Sequence, residues 1–213
     1  MTDLPLNAPY TAAAKPLVVA WWLMLPLMAE AALAAAVLAI FGVDDGAIHA
    51  ALLATARLAF LLFLPAYVGG ALVTLLGPAF ENVRRHSREL GLAFAAALAV
   101  HLALVAWLCA LGDVPPVRTF VIFGLGAICV YGLALFSIAR LQQRFGARTW
   151  STLRFLGMNY IAAIFAEDFL RIAPAADWHY ALVYLPFAIL AIAGPGLRFA
   201  ALIKRWMPRT AFR

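Results

Sequence analysis

The sequence predicts an all-α, polytopic membrane protein, a six-transmembrane-helix bundle in a single domain over residues 1–213, with both termini cytoplasmic. Three observations carry this reading. First, 66% of the 213 residues are hydrophobic and 12% are charged, whereas soluble domains are about half apolar and about a quarter charged. Second, the apolar residues fall into six runs, each long enough to cross a hydrocarbon core of about 30 Å at about 1.5 Å rise per residue. Third, the charged residues sort by sign to alternate ends of those runs.

The runs follow one another at short intervals. The first, residues 17–43, follows Lys15 and contains Pro26 and Glu30. The second, 48–76, starts after Asp44-Asp45-Gly46 and contains Arg57 and Pro65; both runs exceed the length needed, which implies tilt or an adjustment at the prolines. The third, 90–111, follows the basic cluster Arg84-Arg85-His86-Ser87-Arg88 and holds His101 near its middle. The fourth, 117–141, carries Gly124, Gly126 and Gly132, which together with Gly91 and Ala95 are expected to let helices approach closely. The fifth, 153–172, holds Glu167, Asp168 and Arg171, and the sixth is 178–197. Residues 198–213 form a basic, amphipathic stretch expected to lie at the cytoplasmic surface.

Orientation follows from charge. Lys15, Arg84, Arg85, Arg88, Arg140, Arg144, Arg148, Lys204, Arg205 and Arg209 belong to one set of ends; Asp44, Asp45, Asp113 and Asp177 belong to the other, with Arg118 the main exception. The positive-inside rule makes the basic ends cytoplasmic. The expected location is the cell membrane, specifically a bacterial inner membrane. The formal net charge of +6 suits anionic lipid headgroups and not nucleic acid. The spans consume the length, so no soluble catalytic domain is expected, and nucleotide or flavin chemistry would belong to a partner. Cys109 and Cys129 lack metal-type spacing and read as packing residues. The start of the sequence lacks the basic and small-residue features of a cleaved signal peptide.

Ionisable groups within spans define a candidate site. Glu30, Arg57 and His101 come out at one depth, about 18–20 Å from the cytoplasmic side, with Glu167 and Asp168 at about 25 Å. A charge at mid-bilayer costs about 2.5–3.5 kcal/mol even on lenient scales, so these groups should face inward and be paired. Glu30 and Arg57 read either as an ion pair or with Arg57 as counter-ion to a buried anion. Glu167 and Arg171, spaced i,i+4, read as a local helix pair or as part of a proton path. His101 is open to three readings: a helix–helix hydrogen bond, haem ligation or proton transfer.

One resemblance bears on this choice. The segment from Arg84-Arg85 through Arg88-Glu89-Leu90-Gly91-Leu92-Ala93-Phe94 to His101 resembles the third helix of the ferric reductase-like transmembrane domain family. Ala54-Thr55-Ala56-Arg57-Leu58-Ala59-Phe60 resembles that family's second helix, and Trp150 with Leu153 the opening of its fifth. The likeness covers residues 48–172. It implies haem b-based electron transfer, with His101 as axial ligand through which the haem iron is held, Arg57 on a propionate and a cytoplasmic electron-donor protein as partner. The chain departs from the pattern where it matters: the fifth-helix histidine is replaced by Arg154, and a second third-helix histidine by Leu98. One haem is therefore expected rather than two, or none if the member is degenerate. The alternatives are a non-catalytic membrane scaffold or partner subunit, and a proton-coupled transporter using Glu30, His101 and Glu167. Any enzymatic role would be confined to the membrane part of an oxidoreductase.

Overall fold

The computed structural model describes residues 16–138, 146–172 and 178–207. These form α1 (Pro16–Phe41), α2 (Asp45–Leu76), a 3-10 turn (Pro78–Phe80), α3 (Glu81–Arg85), α4 (Ser87–Ala110), α5 (Val117–Ile138), α6 (Ala147–Ile172) and α7 (Trp178–Trp206), with no strand among the described residues. Five helices, α1, α2, α4, α5 and α7, are long and apolar enough to cross a membrane. α6 matches them in length but carries Arg148, Arg154, Asn159, Glu167, Asp168 and Arg171, too polar a composition to join that set.

The connections are set by local chemistry. Gly42 ends α1 at φ +99° and Gly77 ends α2 at φ +93°, left-handed values that glycine adopts without a Cβ penalty. Asp44 then caps α2, its carboxylate accepting from the Ala47 amide at 2.8 Å. The segment between α2 and α4, expected as a loop, instead winds into the 3-10 turn and α3. Gly69 makes room for it: a Cβ there would meet the Val83 carbonyl oxygen and the Arg84 backbone at 3.3 Å.

α2 is the central helix, packed by α1, α4, α7 and the short α3; α6 joins through α7 and α5, and α5 touches α4 only lightly. Contacts fix an alternating arrangement. The ends of α2 and α7 meet where Lys204 Nζ donates to the Leu75 carbonyl at 3.3 Å and Arg205 to Thr74 Oγ1 at 2.9 Å. At that same basic end Arg88, at the start of α4, donates to Ser137 at the end of α5. At the other end His49 pairs with Asp113 at 3.0 Å. Two packing clusters fill the interior. One is aromatic, with Phe60, Phe63 and Tyr67 of α2 against Phe94, Phe165, Phe169 and Tyr184. The smaller is aliphatic, with Ala34, Ala51 and Leu104 at its centre.

Three expectations are corrected. α7 runs unbroken through Pro195 to Trp206, nine residues past the end of the sixth apolar run, and its residues 202–206 are exposed. Its Arg198 lies over the Tyr67 ring, 4.4 Å from the centroid. α6 begins at Ala147, nearly two turns before the apolar run that marked it. Of the small residues expected to permit close approach, Gly126 meets a neighbour, Ile164, whereas Gly91, Gly124 and Gly132 face open space; Gly157, against Leu133, was not anticipated. Residues 208–213 of the tail, with Lys15, Arg140, Arg144 and Asp177 of the charge pattern, lie outside the described residues.

Candidate functional site

The residues singled out from the sequence divide into separate places. His101, on α4, meets α2: its Nδ1 is 3.0 Å from Thr55 Oγ1. The Thr55 hydroxyl already directs its proton back along its own helix, to the Ala51 carbonyl at 2.9 Å and the Leu52 carbonyl at 3.1 Å. With its proton on a carbonyl, the hydroxyl accepts from Nδ1–H, the tautomer that leaves Nε2 with its lone pair. Thr55 is wholly buried. It was quoted within its segment but not recognised as the partner of His101; the signal was a hydroxyl in an apolar helix at the depth of the imidazole.

Glu30 is also wholly buried, and neither carboxyl oxygen has a hydrogen-bond partner. No ion pair joins it to Arg57. The Arg57 guanidinium lies instead over two rings of α7, with its carbon 4.6 Å from the Tyr184 centroid and 5.6 Å from that of Phe187, and its Nε is buried without a partner. The reason is angular. Thr55 and Arg57 are two residues apart, about 200° around an α-helix. If Thr55 faces α4, Arg57 faces away from it, toward α7. Shared depth did not imply a shared side.

Glu167, Asp168 and Arg171 do not join that interior layer. They sit in the last turns of α6, about 30 Å along it from Ala147. Glu167 pairs with Arg171 one turn on and lies 3.9 Å from Arg118 of α5, the side chains being 36%, 61% and 78% exposed respectively. Arg118, the exception in the charge pattern, thereby has its counter-charge. The carriers of a Glu30–His101–Glu167 proton path are thus split between the α1–α2–α4 packing and the end of α6.

A bis-histidine haem held between α4 and α6 would need two axial bases and space for the macrocycle. His101 offers one base. At the other family positions stand Leu98 and Arg154, and a protonated guanidinium has no lone pair to give iron. The space between α2, α4 and α6 is filled by rings, with Phe63 5.3 Å from Phe94 and 5.5 Å from Phe165 between centroids. Arg57, the expected propionate partner, is engaged by α7. These residues do not fit a bis-histidine haem. Among the described residues no group of three or more His, Cys, Asp or Glu could hold a metal ion.

A cavity of about 120 Å³ opens beside these rings, between the basic ends of α4, α5 and α6, with Phe63, Phe94 and Arg154 in its lining. Its polar lining is Ser87, Arg88, Ser137, Trp150 and Arg154; Leu92, Leu133 and Met158 are among its apolar walls. Searches of protein-family models, curated proteins and solved structures give no match to this chain.

Proposed function

We propose that this chain is a non-catalytic membrane scaffold or partner subunit of six spans, with α6 as the sixth and both termini cytoplasmic, in a bacterial inner membrane. Its frame resembles the ferric reductase-like family without the haem pair that carries electrons there. The observation that carries this reading is the Thr55–His101 hydrogen bond. It makes the imidazole a tie between α2 and α4, the role that polar groups most often play between membrane helices. The orientation rests on the basic residues grouped at one end of the bundle and Asp44, Asp45 and Asp113 at the other.

The test is the visible spectrum of the full-length protein purified after expression with excess haem. No Soret band and no pyridine haemochrome are expected; haem near one per chain overturns the reading. A second reading, one haem b held by His101 alone, is favoured by the unprotonated Nε2. It requires bound haem that His101→Ala abolishes, and a cytoplasmic donor protein to reduce it. Topology is tested by labelling a cysteine engineered at Arg85. No reaction from outside intact cells is expected, and labelling without permeabilisation refutes the orientation.

A further inference from the structure

The cavity between α4, α5 and α6 combines features that the proposed scaffold role leaves unused. Arg88 spends its Nε and one Nη on Ser137, donating to the hydroxyl and the carbonyl at 2.9 Å each. This anchors the guanidinium at the cavity while leaving its other terminal nitrogen uncommitted. Arg154 lines the same cavity from α6 and has neither a hydrogen bond nor a salt bridge among the described residues.

Among the described residues no carboxylate forms a salt bridge with Arg88 or Arg154. On the basic side of the chain the acidic residues are Asp3, Glu81 and Glu89. Glu81 is taken by Arg84 and Arg85, Glu89 forms no salt bridge, and Asp3 lies outside the described residues. Deeper in, the walls turn apolar, and a Cβ placed on Gly91 would find nothing within 4 Å. α5, which closes one side, packs only lightly on α4, and it exposes Val121, Leu125, Ile128 and Leu135 on its outer face. The site therefore has a cationic rim, an apolar interior and a wall that fits loosely.

We propose that this cavity binds one phosphate-bearing membrane lipid, with the phosphate between Arg88 and Arg154 and part of an acyl chain against Leu92, Leu133 and Met158. Paired guanidinium groups match the oxygens of a phosphate, and the charge-assisted bonds they form are the stronger kind. An anionic glycerophospholipid satisfies both halves of the site; free phosphate satisfies one.

The experiment uses the full-length protein, delipidated in mild detergent and titrated with dioleoyl-phosphatidylglycerol, dioleoyl-phosphatidylcholine or inorganic phosphate, with bound lipid counted by native mass spectrometry. One phosphatidylglycerol should bind about tenfold tighter than phosphatidylcholine, the factor expected of one charge-assisted contact. R154Q should reduce it to the phosphatidylcholine level. Ala134 also lines the cavity; A134W fills the apolar part with both arginines intact and should also lose the tight lipid, and both variants are first checked for monodispersity and helix content. Equal retention of the two lipids by the unaltered protein overturns the proposal, as does wild-type retention by monodisperse R154Q or A134W. Displacement of the lipid by millimolar inorganic phosphate overturns the lipid assignment, because the site would then be reading the anion alone.

Discussion

The two sides of α2 are packed by different means. Toward α1 and the middle of α4 it presents Ala51 and Thr55, which meet Ala34, Leu104 and His101. Toward α6, α7 and the first half of α4 it presents Phe60 and Phe63, whose rings meet Phe94, Phe165 and Phe169 at centroid separations of 5.1–5.5 Å. Helices in a bilayer gain nothing from removing apolar groups from water, because lipid is as apolar as leucine. What remains is contact and hydrogen bonding: one side has the Thr55–His101 bond, and the aromatic side adds to its ring contacts the bond that Tyr67 donates to Asn159 Oδ1 at 2.7 Å. The aromatic side tolerates a guanidinium because ring faces attract cations. The small-residue side holds an imidazole because a threonine is there to receive its proton.

This contrast fails most visibly if the aromatic side can be emptied without loss. Phe60→Ala, at a side chain 1% exposed, should cost about 3–5 kcal/mol from the lost contacts and the cavity left behind, measured by reversible unfolding in mixed micelles. A loss below that of a hydrogen-bond variant on the other side would break the distinction. Glu30 sharpens it in the opposite direction. Because its carboxyl has no partner, Glu30→Leu should stabilise the bundle by about 1–3 kcal/mol, whereas removing half of a buried ion pair would destabilise it. The double change Glu30→Gln with Arg57→Gln should then be additive within about 0.5 kcal/mol, since the two residues lie on different sides of α2. A larger interaction energy would place them in contact.

Smaller again, Thr55→Val removes the acceptor for His101 and should cost about 0.6–1.7 kcal/mol, the range of hydrogen bonds between membrane helices. An unchanged imidazole resonance in that variant would break the tautomer assignment. The least effect lies outside the spans. Arg84 and Arg85 beside Glu81 hold its carboxyl well below the ordinary value of 4.5, at about 2. A depressed folded-state value stabilises above the unfolded value and is lost as pH falls, here from about pH 4.5 through about pH 2. Carboxyl chemical shifts of Glu81 followed across that window check the sign, and E81Q should remove the dependence.

Much of the fold was legible because apolar runs and flanking charges are one-dimensional signals. α1, α2, α4 and α5 lie close to where composition put them. The misreadings have physical causes. The first turns of α6 are too polar to look like a span, and the basic residues after 197 end the apolar run although the helix continues through them to reach the end of α2. Within the site, counting residues gave depth but not direction around the axis, so Glu30 and Arg57 were matched by height and His101 was left without Thr55. The cavity was invisible for a related reason. Arg88, Ser137 and Arg154 are distant in sequence, and a void leaves no residue to mark it.

The ties from α7 to α2 also have a consequence for how the chain is made. The Leu75 carbonyl at the end of α2 receives its proton donor from Lys204, 129 residues later. At a synthesis rate of about 5–20 residues per second, that end waits roughly 6 to 26 s for its partner. During that interval α4 is already available to pack on α1 and α2. The small-residue, hydrogen-bonded trio can therefore assemble first, and the aromatic half closes over it when α6 and α7 emerge.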